Sequence, residues 1–366
     1  MTHYWECHHL KAYFRGERYM NHQATALCFG ELLWDCFQDE AQKESNQTEE
    51  KRILGGAPSN LCFFLNQLGF PATLVTAVGK DSLGDAALAQ LNANKIPVIA
   101  ARNELPTGRV DITLIEDEPH YQFATPAAWD QIPLSDEILE KAQSATLIAY
   151  GSLAMRSAIP RFEARFEAQQ YCDNRDKAGS VRGSENRGEK EPTAESDSVE
   201  TFRSILQHHP QAMRFCDLNL RTPYYTASLV DQLLRYADLL KLNEMELRYL
   251  QKIYQLESLS LRDTLYHLIE RFELNAILLT LGAEGSIVMS PHDYSALSGK
   301  SIALADTIGA GDSFSAAFIT ALHQGAPFQE AHQFAHHLSH YICTQSGAFV
   351  TLPEQFTEQL ATFQKW

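Results

Sequence analysis

The sequence lacks the features of a secreted or membrane-bound protein. Its 7 cysteines are odd in number and scattered, and none is spaced as Cys-x-x-Cys, which favours reduced thiols in a cytosol. No apolar run approaches the length of a membrane span. The N-terminal residues also lack the apolar core of a signal peptide. We therefore expect a cytoplasmic protein without a membrane partner.

Basic residues are scarce as well. The chain carries 30 Lys and Arg against 46 Asp and Glu, and its formal net charge of −16 argues against a nucleic-acid partner. Such a chain can still bind an anionic ligand where a divalent cation and local backbone amides set the field. With 45% hydrophobic residues over 366 positions, we expect a globular protein built as one large α/β unit.

A phosphate-binding loop of the Walker A type is also absent. The dipeptide Gly79-Lys80 follows an apolar run, but Leu74 stands where the first glycine of that loop belongs and Asp81 replaces the Ser or Thr. Phosphate binding, if the chain performs it, must use another loop.

The most informative stretch is residues 306–316, which read Asp-Thr-Ile-Gly-Ala-Gly-Asp-Ser-Phe-Ser-Ala. A tight loop containing Gly309, Ala310 and Gly311 opens directly into a helix. Loops of this kind direct backbone N–H groups at one point, and the helix dipole makes that point attractive to anions. One interpretation is a plain loop in which Asp312 caps the helix.

The functional interpretation is that the loop forms an anion hole for a phosphoryl group in transfer. Asp312 would then orient an attacking hydroxyl and accept its proton, because phosphoryl transfer depends mainly on positioning and charge stabilisation. The helix dipole should lower the pKa of Asp312. A weak base of this kind suffices if the proton leaves late, through a loose transition state.

Asp-Thr-x-Gly-Ala-Gly-Asp followed by Ser-Phe resembles the C-terminal signature of the PfkB, or ribokinase-like, carbohydrate kinases. The resemblance implies a doubly wound, mostly parallel sheet flanked by helices, with a small β lid. Alternation of strand-like and helix-like segments favours the same α/β sheet. The resemblance further implies ATP as phosphoryl donor, Mg²⁺, and a K⁺ site that would involve Asp306.

The segment from Leu54 to Asn60, Leu-Gly-Gly-Ala-Pro-Ser-Asn, resembles the N-terminal signature of the same family. The bland alternative is a Gly-Gly turn with Pro58 starting a helix. The resemblance implies that Gly55, Gly56 and Asn60 bind the sugar. It also implies that Asp35, after the first strand, holds sugar hydroxyls, and a carboxylate can accept two such hydrogen bonds.

Lid strands are expected at about 31–38 and 96–126, with a polar loop over 38–52. Alternation in the second range favours strands, and Tyr121 is interpreted either as sugar contact or as lid packing. A homodimer through the lid strands is a further expectation of the resemblance. Pro106-Thr107-Gly108 and the run 128–132 resemble the fructokinase-like branch in particular.

Polar residues after later strands complete the site that the resemblance implies. Asp217-Leu-Asn219-Leu-Arg221 would place Asn219 at ATP and Arg221 at the substrate, since ligands of open α/β sheets bind at the carboxyl edge. The alternative for Arg221 is a surface ion pair with Asp217.

Asn243 and Glu246 have the spacing of a capping box at a helix start. The resemblance adds a second role, in which Glu246 holds Mg²⁺ through water while Lys241 and Asn243 serve ATP. Both interpretations can be true together.

The turn Thr280-Leu-Gly282-Ala-Glu-Gly285 is interpreted as a nucleotide-binding turn or as a plain hairpin. Residues 321–338 are expected to form one helix. His336 and His340 lie one helical turn apart there, but a metal site is disfavoured because no third ligand is evident.

Two segments are expected to lie outside the kinase core. Residues 1–23 are interpreted as an N-terminal extension, with Met20 as an alternative start, and 24–366 as the kinase domain. Within it, a helix over 161–170 precedes an insertion, 173–200, that is too polar to bury a core and is predicted to be disordered. A regulatory or phosphorylated loop is the alternative.

The expected function is ATP-dependent phosphorylation of a sugar hydroxyl, with fructose as the expected sugar. Ribose and 2-keto-3-deoxygluconate remain as alternatives, as does a non-catalytic kinase-like regulatory protein. The lid run 120–125 contains no Arg or Lys for a carboxylate, and Ala57-Pro58 supplies no lysine for a sugar phosphate. Both features favour a neutral sugar.

Overall fold

The structure is a computed structural model that describes residues 24–37, 51–115, 118–158 and 197–363. The predicted N-terminal extension 1–23, the predicted helix 161–170 and most of the predicted insertion lie outside these residues. The predictions for those segments therefore remain predictions.

A large, mostly parallel sheet forms the centre of the described chain. Its strands lie in the order β13-β12-β11-β10-β9-β8-β1-β4-β5, and all neighbours are parallel except β11–β12 and β12–β13. The strand bounds are β1 Ala26–Phe29, β4 Ala72–Gly79, β5 Val98–Asn103, β8 Leu147–Gly151, β9 Met213–Asp217, β10 Leu239–Asn243, β11 Ala276–Thr280, β12 Gly285–Met289 and β13 Tyr294–Ser298. Central strands such as β11, Ala-Ile-Leu-Leu-Thr, are apolar almost throughout because helices cover both faces. This arrangement confirms the predicted fold class.

Helices cover both faces of this sheet, and the residues buried between sheet and helices form two hydrophobic clusters. The helix bounds are α1 Ala57–Gln67, α2 Ser82–Ala93, α3 Asp136–Ser144, α4 Asp197–His208, α5 Ala227–Tyr236, α6 Glu244–Tyr254, α7 Leu261–Phe272, α8 Ala310–His323, α9 Phe328–Cys343 and α10 Glu354–Phe363.

A second, smaller sheet forms the lid. Its strands lie in the order β3-β2-β6-β7, with bounds β2 Leu33–Phe37, β3 Lys51–Gly55, β6 Gly108–Ile115 and β7 Glu118–Phe123. Two predicted boundaries are wrong. Residues 98–103 form β5 and pair with β4 of the large sheet, and Lys51 and Arg52, predicted as loop, belong to β3. Alternating apolar residues indicate a strand but not the sheet to which it adds.

The helix predicted over 321–338 is two helices in the structure. The helix α8 ends at His323 and α9 begins at Phe328. Between them Gly325 has a φ of 91°, which favours glycine, and Pro327 is the residue before α9. A left-handed glycine followed by proline ends the first helix and redirects the chain.

The predicted C-terminal boundary of the insertion, residue 200, is also wrong. Asp197–Glu200 forms the first turn of α4, with Val199 buried on the same face as Phe202 and Ile205. The Ser198 hydroxyl donates to the Trp129 carbonyl (2.8 Å) and accepts from the Ile132 amide (2.8 Å). The prediction used the average composition of 173–200, which is polar. It therefore missed that Val199 continues the apolar face formed by Phe202 and Ile205.

Candidate active site

The carboxyl ends of the parallel strands bring the site residues to one edge of the large sheet. Glu31 follows β1, Asp217 ends β9, and Asn243 and Thr280 end the neighbouring strands β10 and β11. The N-terminus of α8 lies against the same edge, because its Gly311 is next to the side chain of Lys241 on β10. Residues far apart in sequence therefore share one cleft.

The start of α8 provides free backbone donors. Gly309 adopts a φ of 76° as the residue before the helix. The Ala310 amide donates to Thr307 O (3.2 Å) and the Ser313 amide to Gly309 O (2.8 Å). Gly311 and Asp312 lie between these two residues, and within the described chain their amides have no backbone acceptor. Such first-turn amides form an anion-binding point.

Lys241 supplies a positive charge beside these amides. Its Nζ lies 3.1 Å from Asp217 Oδ1, and a Cβ built on Gly311 would lie 3.0 Å from the same Nζ. Burial alone would lower the pKa of Lys241, but the carboxylates of Asp217, Glu246 and Asp312 raise it above its ordinary value. A buried ammonium therefore lies beside the first turn of α8, where two amides have no backbone acceptor.

Asp312 occupies the third position of α8 and is 9% exposed. Its Oδ2 accepts a hydrogen bond from Asn60 Nδ2 (2.9 Å). Burial, followed by the charge of Asp217, raises the pKa of Asp312 to about 7, although Lys241, Asn60 and Arg221 act in the opposite direction. The prediction that the helix dipole lowers this pKa is wrong, because desolvation outweighs the dipole.

The predicted sugar-binding residues lie between the lid and α1. Asp35 is in lid strand β2, and burial raises its pKa to about 6. A Cβ on Gly55 would lie 3.2 Å from Asp35 Oδ2, and one on Gly56, with its φ of 117°, would clash with the Glu31 carbonyl. The structure therefore explains both glycines by close approach to these acids. The backbone of Tyr121 lies in β7, but its side chain is outside the described part of the structure.

Asn243 and Glu246 form the capping box that their spacing indicates. Asn243 Oδ1 accepts from the Glu246 amide (2.9 Å), and Glu246 Oε2 accepts from the Asn243 amide (2.8 Å). Glu246 Oε1 also accepts from the Leu220 amide (2.9 Å). Each carboxylate oxygen keeps a lone pair beyond these bonds. The residues therefore fit a divalent cation held through water.

The segment 217–221, at the end of β9, shows which residue Asp217 pairs with. Asp217 pairs with Lys241, and the ion pair between Asp217 and Arg221, the alternative interpretation of Arg221, does not occur among the described residues. Arg221 is exposed, and its guanidinium makes no ion pair among the described residues. Asn219 has a φ of 40°, and its carbonyl accepts from Ser152 Oγ (3.3 Å).

The predicted nucleotide turn joins the antiparallel strands β11 and β12, so the hairpin interpretation is correct. The Leu281 amide donates to Gly285 O (2.9 Å), and Thr280 Oγ1 donates to Leu242 O (3.3 Å). Gly282 and Gly285 have φ values of 57° and 118°, and a Cβ on Gly285 would clash with the Leu297 carbonyl. The turn ends at the same sheet edge as Lys241.

Asp306 ties the loop before α8 to the C-terminal region. Its Oδ1 accepts from the Ile308 amide (3.0 Å) and its Oδ2 from the Gly347 amide (3.2 Å). These bonds fix the approach to the Gly309–Gly311 loop. A monovalent cation at Asp306 remains a prediction.

The histidines of α9 have hydrogen-bonding roles. His332 is fully buried, with Nε2 at 2.9 Å from Ser286 Oγ and Nδ1 at 2.7 Å from Ser295 Oγ. His336 Nδ1 lies 2.9 Å from the same Ser286 Oγ, and His340 Nδ1 lies 2.7 Å from His336 O. In the residues that the structure describes, no cluster of three metal-ligating side chains occurs.

Two features of the site are not predicted from the sequence: the burial of Glu31 and the ion pair between Asp217 and Lys241. Glu31 is 1% exposed, and burial raises its pKa to about 7. An available signal was its position, since an acid directly after the buried strand β1 lies at the ligand-binding edge of the sheet.

The fold and the family match together define a class of protein. A family model described as pfkB family carbohydrate kinase matches residues 23–185 and 191–355, so the protein is a carbohydrate kinase. The chain belongs to the pfkB family.

Two relatives illustrate the similarity. An ATP-dependent 6-phosphofructokinase of Thermoanaerobacterium thermosaccharolyticum is 22% identical over 332 residues, covering 90% of each chain. Fructokinase-1 of Zea mays is 25% identical over 341 residues, covering 90% of this chain and 94% of the relative.

Solved structures share the fold. A fructokinase with bound ATP from Xylella fastidiosa has a TM-score of 0.69 at 18% identity, covering 94% of this chain and 100% of that one. A 2-dehydro-3-deoxygluconokinase from Thermotoga maritima has a TM-score of 0.68 at 18% identity, covering 93% and 99%. No helix among the described residues is both long and apolar enough to span a membrane.

Proposed function

We propose that the protein is a fructokinase that transfers the γ-phosphoryl group of ATP to a hydroxyl of fructose. The observation that carries the proposal is the position of Asp312, a buried carboxylate beside free helix amides and the Lys241 ammonium. A proton acceptor thus adjoins an anion-binding point, which phosphoryl transfer requires.

In the proposed reaction, the sugar hydroxyl oxygen bonds to the γ-phosphorus while the bond from that phosphorus to the ADP oxygen breaks. Asp312 accepts the hydroxyl proton, and a pKa of about 7 makes it a stronger base than an ordinary carboxylate at neutral pH. The amides of Gly311 and Asp312, with Lys241, stabilise negative charge on the phosphoryl oxygens. The products are ADP and a fructose phosphate.

The turn from Thr280 to Gly285 and the segment around Asn219 are proposed to bind ATP with Lys241 and Asn243. Glu246 is proposed to hold Mg²⁺ through water, since its oxygens are already fixed by backbone amides. When bound, Mg²⁺ neutralises charge on the phosphates. A structural neighbour with bound ATP supports the nucleotide assignment.

Charge around the sugar site supports a neutral substrate. Asp35, Glu31 and Asp312 are sufficiently close to Arg221 for its charge to lower the pKa of each. Acids outnumber this one arginine, so an added carboxylate or phosphate would meet repulsion. A polyhydroxyl sugar can instead donate hydrogen bonds to the carboxylates of Asp35 and Asp312. The similarity to the Zea mays fructokinase agrees with this assignment.

Phosphorylation of 2-keto-3-deoxygluconate is a second candidate, and one observation favours it. The Arg221 guanidinium has no carboxylate partner within the described residues, so it is available for a substrate carboxylate. The similarity to the Thermotoga maritima kinase points to the same substrate class. Arg221 therefore decides between the two candidates.

A coupled ADP-release assay tests the assignment. We expect fructose to give the highest kcat/KM among fructose, ribose, adenosine, fructose 6-phosphate and 2-keto-3-deoxygluconate. A clear preference for either anionic substrate would overturn the neutral-sugar assignment. A preference for ribose or adenosine would overturn fructose alone, and absence of turnover with each of them would favour a non-catalytic relative.

A further inference from the structure

Glu31 is a buried acid without a complete set of partners. It is 1% exposed, and in the described part of the chain its Oε2 forms no hydrogen bond. A carboxyl oxygen sealed from both water and donors destabilises the fold. An unsatisfied buried group of this kind needs an explanation, and a partner that arrives when ligand binds is one.

The position of Glu31 couples the lid to the large sheet. Gly30 to Leu32 is the whole connection between β1 of the large sheet and β2 of the lid. The return connection from β3 to α1 is Gly56, whose missing side chain makes room for the Glu31 carbonyl. Glu31 therefore lies in one of the two connections of the β2–β3 hairpin and packs against the other.

Arg221 lies near the same strand ends as Glu31. Glu31 follows β1, β1 pairs with β8, and the segment after β8 is hydrogen-bonded to the segment that carries Arg221, through Ser152 Oγ and the Asn219 carbonyl (3.3 Å). Burial raises the pKa of Glu31, and the charge of Arg221 acts in the opposite direction, in agreement with this placement. Within the described residues, the guanidinium donates only to the Leu220 carbonyl, at 3.5 Å. The Leu220 amide is held by Glu246 Oε1 at 2.9 Å, so the segment is fixed while the arginine side chain remains exposed.

Asp35 and Asp312 are also near Arg221, but they need a new hydrogen-bond partner less than Glu31 does. Arg221 also lowers the pKa of Asp35 and Asp312. Asp35 keeps an exposed part that water can solvate, and Asp312 already accepts from Asn60. Glu31 Oε2 has neither, so it gains most from an arginine partner.

We propose that Glu31 is a positioning residue that accepts a hydrogen bond from Arg221 when a sugar occupies the cleft, and so orients the guanidinium toward the sugar. A bound sugar displaces water from Arg221, and loss of that water strengthens its attraction to a buried carboxylate. The inference rests on the proposed sugar-kinase function, because it needs a sugar in the cleft.

A double-mutant cycle tests the proposal. Glu31→Gln keeps the shape and removes the charge, Arg221→Met removes the guanidinium, and the third variant carries both. We expect Glu31→Gln to lower kcat/KM for the sugar by about 10-fold with the KM for ATP changed less than about 2-fold. The double variant should match Arg221→Met within about 2-fold, because Glu31 acts through the arginine. Multiplicative losses, or wild-type activity in Glu31→Gln, would overturn the proposal.

The matched control is Glu137→Gln, an exposed acid in the first turn of α3, which should leave activity unchanged. Thermal unfolding distinguishes positioning from a structural role. The Tm of Glu31→Gln should equal or exceed that of the wild type, and a fall of more than about 5 °C would indicate a structural residue. Glu31→Asp, which keeps the charge, should lose less activity than Glu31→Gln. It also serves as the test variant if the glutamine variant fails to fold.

A readout independent of turnover separates this proposal from the proposed function. Modification of Arg221 by phenylglyoxal, quantified by mass spectrometry, should be slowed by bound sugar in the wild type. The same sugar, at saturation, should protect Arg221 less in Glu31→Gln. Equal protection in both proteins would overturn the role of Glu31 even if turnover is confirmed. Failure of turnover with intact protection would overturn the kinase assignment alone.

Discussion

Asn60 Nδ2 donates a hydrogen bond of 2.9 Å to Asp312 Oδ2, across 252 positions of sequence. The bond joins the first turn of α1 to the first turn of α8, which carry the two family signatures. It orients the acid and favours its charged form. In the described chain, Asn60 Oδ1 is buried and has no partner, so under the proposed function it is an acceptor for a sugar hydroxyl next to Asp312.

Replacement of the base should separate chemistry from binding. We expect Asp312→Asn to lower kcat by about 10³-fold or more, because the amide keeps the shape but cannot accept the proton. Affinity for ATP and sugar, measured by calorimetry, should stay within a few-fold. Asp136→Asn is the control, since Asp136 also lies in the first turn of a helix but is exposed. If Asp312→Asn keeps near wild-type kcat, Asp312 serves only as part of the helix start.

The pH dependence of activity should show the raised pKa of the base. Asp312 acts as a carboxylate, so kcat/KM should fall about tenfold per pH unit below a pKa of about 7. Protonation of Asp35 below about 6 should steepen the fall, because a neutral acid accepts hydroxyl hydrogen bonds less well. A profile of kcat/KM between pH 5 and 9 measures both. A profile that stays flat down to pH 5 would contradict the assignment.

The Asn60 hydrogen bond should set the pH at which kcat/KM begins to fall, the acidic limb of the profile. Asn60 lowers the pKa of Asp312, so Asn60→Ala should move the limb to higher pH, by about one unit. The same pH series measured on the variant provides the test. A limb that stays in place or moves to lower pH would mean that the bond does not act on the base. Asn66→Ala, on the same helix but bonded to the Cys62 and Ala72 carbonyls, is the control for packing of α1.

The free energy of unfolding at acid pH should depend on His332. Burial, aided by the charge of His336, lowers its pKa from 6.5 to about 4. Between these values the unfolded chain binds a proton that the folded chain does not, so this histidine makes stability fall as pH falls from 6.5 to 4. The effect reaches about 1.4 kcal/mol per pH unit at most.

His332→Gln should reduce that dependence, because glutamine can bond to Ser286 and Ser295 without titrating. Urea unfolding at pH 7, 6 and 5 of both proteins provides the comparison. The raised acids Glu31, Asp35 and Asp312 act with the opposite sign, since their folded forms hold protons more tightly. Only the difference between variant and wild type therefore reports on His332. Equal slopes would contradict the prediction.

The boundary of the insertion can be tested by two deletions. We expect removal of residues 173–196, with a short Gly/Ser linker, to change Tm and kcat little, because a sequence this polar has few residues that can bury a core. Removal of 173–200 should lower Tm markedly, since it takes the Ser198 hydrogen bonds and the buried Val199. Ser198→Ala alone should cost about 1–2 kcal/mol. A large loss from the shorter deletion would show that the insertion contributes to the fold.

The sequence determined the fold class because its evidence is local. Apolar runs such as β10 and β11 predict buried parallel strands, and the glycines at 309 and 311 predict a loop opening into a helix. Asn243 and Glu246 were identified as a capping box because both partners lie within one helical turn. Short-range hydrogen bonds and side-chain periodicity need no knowledge of the rest of the chain.

Only the tertiary structure decided which residues meet and how they are charged. Strand pairing assigned β5 to the large sheet rather than to the lid, and Lys241 took Asp217 as its partner instead of leaving it to Arg221. Burial in the cleft raised the pKa of Asp312, which its position in a helix had suggested to be low. Desolvation and charge pairing depend on every group around a site, and those groups come from strands and helices hundreds of residues apart.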